Sequence, residues 1–241
     1  MATLAEKRKF IRNWPLFTPP IRNFFLHKEV IAYLNNGIAL SLRGTRSSDF
    51  YAMGTVIFDD VYKIDLIKDP KRILDIGANI GTFTVVAAKR FPNAKIIAVE
   101  PEPHNVSQLK KNIELNHLSN VEIHQCAVSS TYGVAKLYID QERPSAHSLY
   151  SAHVVRKDAE HSASAAFIDV KTVPLSSFGH VDAMKIDCEG SEVAILDNNI
   201  PDCQYVAIEF DTNDKDRILD QFIENGYSVD NRESTICVMT R

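Results

Sequence analysis

From Lys71 onward short apolar runs alternate with stretches whose apolar residues recur every three to four positions, and this rhythm constrains the fold more than any other feature of the chain. RILDIG (72–77) leads into TFTVVAAKRF (82–91). AKIIAVE (94–100) leads into EPHNVSQLKKNIELN (102–116), where Val106, Leu109 and Ile113 share one helical face. VEIHQCAV (121–128), VDAMKID (181–187) and QYVAIEF (204–210) read as further strands, and VAKLYID (134–140) as a strand leading away from the sheet. A helix with Ile218, Leu219, Phe222 and Ile223 then precedes YSVDN and STICVMT, which can close as an antiparallel hairpin. Strands alternating with crossover helices predict an α/β, doubly wound, mostly parallel sheet.

The length of 241 residues suits one domain with an extension. We divide it into an N-terminal extension over residues 1–68, a substrate or cap segment, and a main domain over residues 69–241. A polar stretch of residues 141–167 interrupts the alternation; loops of that length inside a domain usually carry function, and this one is a candidate lid. The hydrophobic content of 45% supports a full core, and the net charge of -4 supplies no global basic field, so nucleic acid is disfavoured as a partner. Cys126, Cys188, Cys203 and Cys237 are scattered without metal-ligand spacing and read as reduced packing residues; no metal site is assigned. No apolar run reaches about 18 residues and no secretory leader is evident, so a cytoplasmic protein is expected. Lys7, Arg8, Lys9 and Arg12 beside Phe10, Trp14 and Phe17 allow weak contact with an anionic membrane surface, although a solvated basic face is the simpler reading.

In such sheets ligands bind beyond the carboxyl ends of the strands, and Asp75–Gly81 occupies that place. Gly77 removes a side chain where a ligand can approach the backbone, and Gly81 lets the chain turn into a helix whose first N–H groups favour negative charge. Glu100 closes the next strand, where a carboxylate can accept both hydroxyls of a ribose. The stretch reads G-A-N-I-G without the middle glycine that seats a dinucleotide pyrophosphate, which weighs against a nicotinamide cofactor. Asn79 suits a ligand with an amino-acid end, such as S-adenosylmethionine. Asp75 either touches the ligand or organises the loop through local hydrogen bonds.

D-I-G-A-N-I-G-T-F, V-E-P, A-V-S, M-K-I-D-C-E-G-S-E and the E-x-D strand end at Glu209–Asp211 together resemble the FkbM family of class I S-adenosylmethionine-dependent methyltransferases. The resemblance spans roughly residues 50–227. It implies a Rossmann-like seven-stranded sheet of order 3-2-1-4-5-7-6, S-adenosylmethionine as cofactor, and O-methylation of a small hydroxylated acceptor, a sugar or natural product. Carried over by position, Gly77, Asn79 and Gly81 line the methionine end, Glu100 the ribose and Ala127 the adenine. Ala78 and Pro101, their neighbours, and Phe83, which can lie against the sulfonium as can Tyr62, complete the cofactor set. Cys188 departs from the family's usual Val, and the first 49 residues match no part of the pattern.

Methyl transfer requires a group that takes the acceptor's proton. Asp187 and Glu189 end the VDAMKID strand beside the crevice and are the first candidates; the competing reading has Asp187 holding cofactor and Glu189 capping the helix near Ser191. Lys185, in phase with Asp187, can pair with a carboxylate. His147, in the candidate lid, is the alternative base. Glu209 and Asp211 with Asp187 offer oxygen ligands for Mg²⁺ or a polar wall for the acceptor. The rival functions are an RNA methyltransferase, against which the missing N-P-P-Y-type tetrapeptide speaks, and a catalytically silent cofactor-binding scaffold.

Overall fold

The computed structural model describes residues 9–13, 28–44, 48–139, 147–149, 166–211 and 214–241. Its centre is a seven-stranded sheet built from β3 (Arg72–Ile76), β4 (Lys95–Val99), β5 (Val121–His124), β9 (Ala183–Ile186), β10 (Tyr205–Glu209), β11 (Ser228–Asp230) and β12 (Ile236–Thr240). The spatial order is β11-β12-β10-β9-β3-β4-β5, which in order of appearance along the chain within this sheet reads 6-7-5-4-1-2-3. This is the expected order read from the opposite edge. β3, β4, β5, β9 and β10 run parallel, and β12 enters antiparallel to both neighbours, as the closing hairpin predicted.

The crossover helices α2 (Thr82–Arg90) and α3 (Pro103–Leu115) follow β3 and β4, while α4 (Glu192–Leu196) and α5 (Lys215–Glu224) follow β9 and β10. β3, β4, β9 and β10 are buried on both sides because helices cover both faces, and apart from Asp75 and Lys185 their interior residues are apolar; Leu74, Ile96, Met184 and Val206 are all essentially buried. One large apolar cluster lies on the side of α4 and α5, and a second gathers Ile73, Phe83, Ala87, Tyr62 and Tyr205 on the other side.

Two departures from the sequence reading have a local cause. VEIHQCAV is not one strand: the Cys126 N–H turns back to the His124 carbonyl, ending β5, and β6 (Ala127–Ser129) joins a separate three-stranded sheet. Its other members are β7 (Gly133–Tyr138), which does lead away as expected, and β8 (Phe167–Pro174). β8 carries the alternation of a half-buried strand, Ile168, Val170 and Thr172 inward against Asp169 and Lys171, but it adjoins a long polar segment and escaped the sequence reading with it. Of the candidate lid, only residues 147–149 and 166–167 are among those described; the remainder lies outside them.

The N-terminal segment is tied to the main sheet's crossover. β1 (Val30–Tyr33) and β2 (Ala39–Leu42) form an antiparallel hairpin whose outer edge is met by amide side chains of α3 and of Asn116 just beyond it. Asn116 accepts from the Ala39 N–H at 3.0 Å and donates to its carbonyl at 2.6 Å, Asn112 accepts from the Ser41 N–H at 2.7 Å, and Gln108 donates to the Ser41 carbonyl at 2.6 Å. These contacts satisfy an edge that would otherwise bury bare backbone groups. Ile11, Leu34, Leu40, Leu42 and Met53 pack with Ile80 and Val85 beneath it. α1 (Ser48–Met53) then runs directly into a π-helical turn, Gly54–Phe58. Of the basic N-terminal group, Lys7, Arg8, Trp14 and Phe17 lie outside the described residues; Phe10 packs on Phe58 with ring centroids 5.5 Å apart. No helix among the described residues is long and apolar enough to cross a membrane.

Candidate active site

The strand ends of β3, β4, β9 and β10 surround a cavity of about 1130 Å³ counted to its open mouth. Its wall includes Gly77, Ala78, Asn79, Phe83, Glu100 and Pro101 from the first two strand ends, with Ala127 from β6. Asp187, Glu189 and His147 line it as well. Ten of the proposed cofactor and catalytic positions therefore meet in one space. Asp75 and Gly81 do not line it.

The loop after β3 is held from beneath. The N–H groups of Gly77 and Ala78 both donate to the Val99 carbonyl at 3.0 Å, Gly81 donates back to Ala78, and Asn79 has a positive φ of 51°. Gly77 is required for a reason the sequence reading did not give: a Cβ there would sit 1.7 Å from the Asp187 backbone oxygen, so the missing side chain lets the ends of β3 and β9 meet and not only a ligand approach. Gly81, at a φ of 87°, opens α2, where a Cβ would press into Leu109. Asp75 is fully buried; it accepts from Thr84 Oγ1 at 2.5 Å and lies 3.3 Å from Lys185 Nζ, so it organises the loop from behind.

Glu100 accepts from the Asn79 N–H at 2.8 Å, the Glu102 N–H at 3.0 Å and Asn105 Nδ2 at 3.2 Å. Burial holds its pKa above the ordinary carboxylate value against the opposing pull of these donors. Of the roughly four lone-pair sites on a carboxylate, three donors leave about one open, on Oε2. Asn79 Oδ1, Thr82 Oγ1 and Ser191 Oγ, all on residues lining the cavity, are buried with no hydrogen-bond partner among the described residues. Unsatisfied atoms of this kind ask for a ligand or solvent partner. The donor set, the open carboxylate and the apolar slot of Ala127, Val128 and Leu137 fit a nucleoside carrying an amino-acid tail.

The opposite side of the cavity is acidic. Lys185 Nζ donates to the Gly77 carbonyl at 2.8 Å and lies 3.4 Å from Asp187 Oδ2, tying the two strand ends together. Burial opposes its charge, but Asp187 and Asp75 outweigh burial and hold its pKa above the ordinary lysine value. Tyr62 donates to Asp187 Oδ2 at 3.1 Å and also approaches Glu209 Oε2 at 3.3 Å. Its ring meets Phe83 edge to face at 5.7 Å. Burial, with Asp187 and Asp211 adding like charge, pushes Glu189 up to about 9; burial and Asp187 push Glu209 up to about 7.

Glu189 does not cap the helix after Ser191. It stands at a φ of 52°, and the loop's N–H groups are taken instead by Glu192, whose Oε1 accepts from Cys188 at 3.2 Å and Gly190 at 3.1 Å. His147 reaches the wall because Ser148 pairs with Tyr138 and donates its hydroxyl to the Glu189 carbonyl at 2.6 Å. No group of three or more His, Cys, Asp or Glu side chains among the described residues is arranged to hold a metal ion. Asp187 and Glu209 share the Tyr62 hydroxyl and form a hydrogen-bonded acidic wall.

Residues 75–229 match the model of the FkbM methyltransferase domain. The chain belongs to this family. As an FkbM domain it is 29% identical over 163 residues to Methyltransferase 1 of Beauveria bassiana (strain ARSEF 2860), covering 58% of this chain and 63% of that protein. It is 30% identical over 168 residues to Methyltransferase sdnD of Sordaria araneosa, covering 58% and 65%. The FkbM domain chain thus spans just under two thirds of the length of these relatives. A solved structure, TYW2 of M. jannaschii in complex with AdoMet, is similar at a TM-score of 0.46 and 15% identity, over 89% of this chain and 85% of that one.

Proposed function

We propose that the chain is an S-adenosylmethionine-dependent methyltransferase acting on a hydroxyl of a small acceptor, a carbohydrate or glycosylated metabolite. The observation that carries this reading is the single cavity in which the glycine loop and Glu100 face the acidic group Asp187, Glu189 and Glu209. S-adenosylmethionine supplies an electrophilic methyl group on a sulfonium centre. The chain's own work is to bind it, aim an acceptor oxygen and receive that oxygen's proton.

Glu100 is suited to the ribose hydroxyls, Asn79, Thr82 and Ser191 to the polar tail, and Ala127 with Pro101 to the base. Glu100→Ala should weaken S-adenosylhomocysteine binding by about 2 kcal/mol, roughly 30-fold, because charge-assisted hydrogen bonds are lost. Calorimetry at fixed pH checks it, and equal affinity in the variant would remove Glu100 from the cofactor site.

On the acceptor side, a carboxyl with its pKa near 9 carries its proton at neutral pH and becomes a base above that value. Turnover should therefore rise between about pH 7 and 9 as Glu209 and then Glu189 deprotonate, and Glu189→Gln should flatten the upper part of that rise. A pH–rate profile that is flat over this range in the native chain would contradict a proton-accepting role for the cluster. Even with Glu189 protonated at neutral pH, the acidic group around Asp187 and Glu209 opposes a phosphate polymer, which favours a neutral small acceptor over RNA. Labelled S-adenosylmethionine offered with hydroxylated small molecules and with bulk RNA separates the readings. Label in a methyl ether of the small acceptors is expected, and label in RNA alone would overturn the reading.

A further inference from the structure

Beyond the residues that face the cavity, Arg43 stands at the end of β2 and is held in one orientation. Its backbone N–H donates to Asp49 Oδ2 at 2.7 Å, its Nε reaches the same carboxylate at 3.0 and 3.2 Å, and one terminal nitrogen donates to Asp49 Oδ1 at 2.7 Å. Asp49, in the first turn of α1, is fully buried. A guanidinium gripped along one edge presents its remaining nitrogen in a fixed direction. That nitrogen donates to Asn105 Oδ1 at 2.8 Å.

An amide whose oxygen is committed to a guanidinium must turn its NH₂ the other way. Asn105 Nδ2 accordingly donates to Glu100 Oε1 at 3.2 Å. The flipped amide would set NH₂ against the guanidinium and its oxygen against the Glu100 carboxylate. Asn105 is itself buried and lines the cavity, as do Ser48, Tyr51 and Thr55 from the segment that Asp49 anchors.

We infer that Arg43 is a positioning residue for cofactor binding: acting through Asn105, it orients the Glu100 carboxylate and couples the N-terminal segment to occupancy of the ribose site. The inference rests on the cofactor reading given above. Coupling of this kind is reciprocal, so ligand in the cavity should also stabilise the contact of β2 and α1 with α3. Lysine cannot replace the arginine, because one ammonium cannot grip both oxygens of Asp49 and still present a directed donor to Asn105.

The test is calorimetry with S-adenosylhomocysteine on the full chain, comparing Arg43→Lys and Arg43→Met in the native and Glu100→Ala backgrounds, with melting of each ligand-free protein as a control. Arg43→Lys keeps the ion pair with Asp49 and should melt near the native temperature while binding roughly 10-fold more weakly. In the Glu100→Ala background the same change should cost less than about 2-fold, because no carboxylate remains to be oriented. The pH profile gives a second reading. Burial raises Glu100 first and the like charge of Glu102 adds to it, while the Arg43–Asp49 pair lies behind Asn105. Losing the Asn105 donor raises the Glu100 pKa further, so binding by Arg43→Lys should begin to fail at a higher pH on acidification than binding by the native chain. Equal fold losses in both backgrounds with unshifted pH profiles would make Arg43 merely structural and overturn the inference, as would native affinity in both Arg43 variants. No binding by the native chain would instead strike the cofactor reading, and the inference with it.

Discussion

Replacing Lys185 with methionine should lower the stability of the folded chain by about 3–5 kcal/mol, the cost typical of removing one partner from a buried ion pair. The Lys185 side chain is 5% exposed and Asp75 opposite it is 0% exposed, so the variant leaves a carboxylate in the sheet with Thr84 as its remaining side-chain donor. It also cuts the donor to the Gly77 carbonyl that joins the two strand ends. Denaturant unfolding measures the loss. Because the folded lysine pKa lies above its ordinary 10.5, the stabilisation is fully present below that value and is lost only as pH rises through the folded pKa. The difference between native and variant should therefore stay level from about pH 6 to 9. The double change Asp75→Leu with Lys185→Met should recover part of the loss, since no buried charge is stranded. A loss below 1 kcal/mol for Lys185→Met alone would show that the pair is not a structural anchor.

The second large effect belongs to the acidic wall. Asp187→Asn or Glu189→Gln should lower turnover by roughly 100-fold or more with the fold retained, and His147→Ala by about 10-fold. Asp187 is fixed by Lys185 of β9 at 3.4 Å and by Tyr62, in a turn buried against the sheet, at 3.1 Å, whereas His147 depends on the neighbouring Ser148 contacts for its place. Rigid support favours the carboxylates as the groups that meet the acceptor proton. Cofactor affinity measured alongside distinguishes acceptor chemistry from binding: a matching loss of affinity in Asp187→Asn would reassign that residue to the cofactor. Full loss of turnover in His147→Ala alone, with both carboxamides active, would reverse the roles.

The central sheet was legible because its signals are local. Apolar runs such as AKIIAV and their following helices announce themselves within about 20 residues, and the M-K-I-D-C-E-G-S-E stretch placed Asp187 and Glu189 beside the crevice before any geometry was known. The contacts that shape the site are long-range and leave no such trace. Tyr62 meets Asp187 and Glu209 across 125 and 147 residues of chain, and Arg43 meets Asn105 across 62. Nothing in the spacing of an isolated arginine or tyrosine records such a partner. Gly77 is legible only in part for the same reason: its missing side chain announces a backbone that a ligand can approach, but the backbone it also yields to, at Asp187, follows a strand more than a hundred residues later. Asp75 reads equally well as a ligand contact or as an organiser of the loop, and its burial with Thr84 and Lys185 fits the second reading. In the N-terminal extension IALSLRG (38–44) reads as strand-like, but no local pattern announces that the edge of the β1–β2 hairpin is completed by side-chain amides of Gln108, Asn112 and Asn116 and not by another strand.

Calorimetric titration of the native chain with S-adenosylhomocysteine, run beside NAD under the same conditions, tests the central claim most directly. The account predicts one site of micromolar affinity for S-adenosylhomocysteine and none for NAD, since the loop lacks the middle glycine that a pyrophosphate needs. Tight NAD binding with no heat from S-adenosylhomocysteine would contradict it.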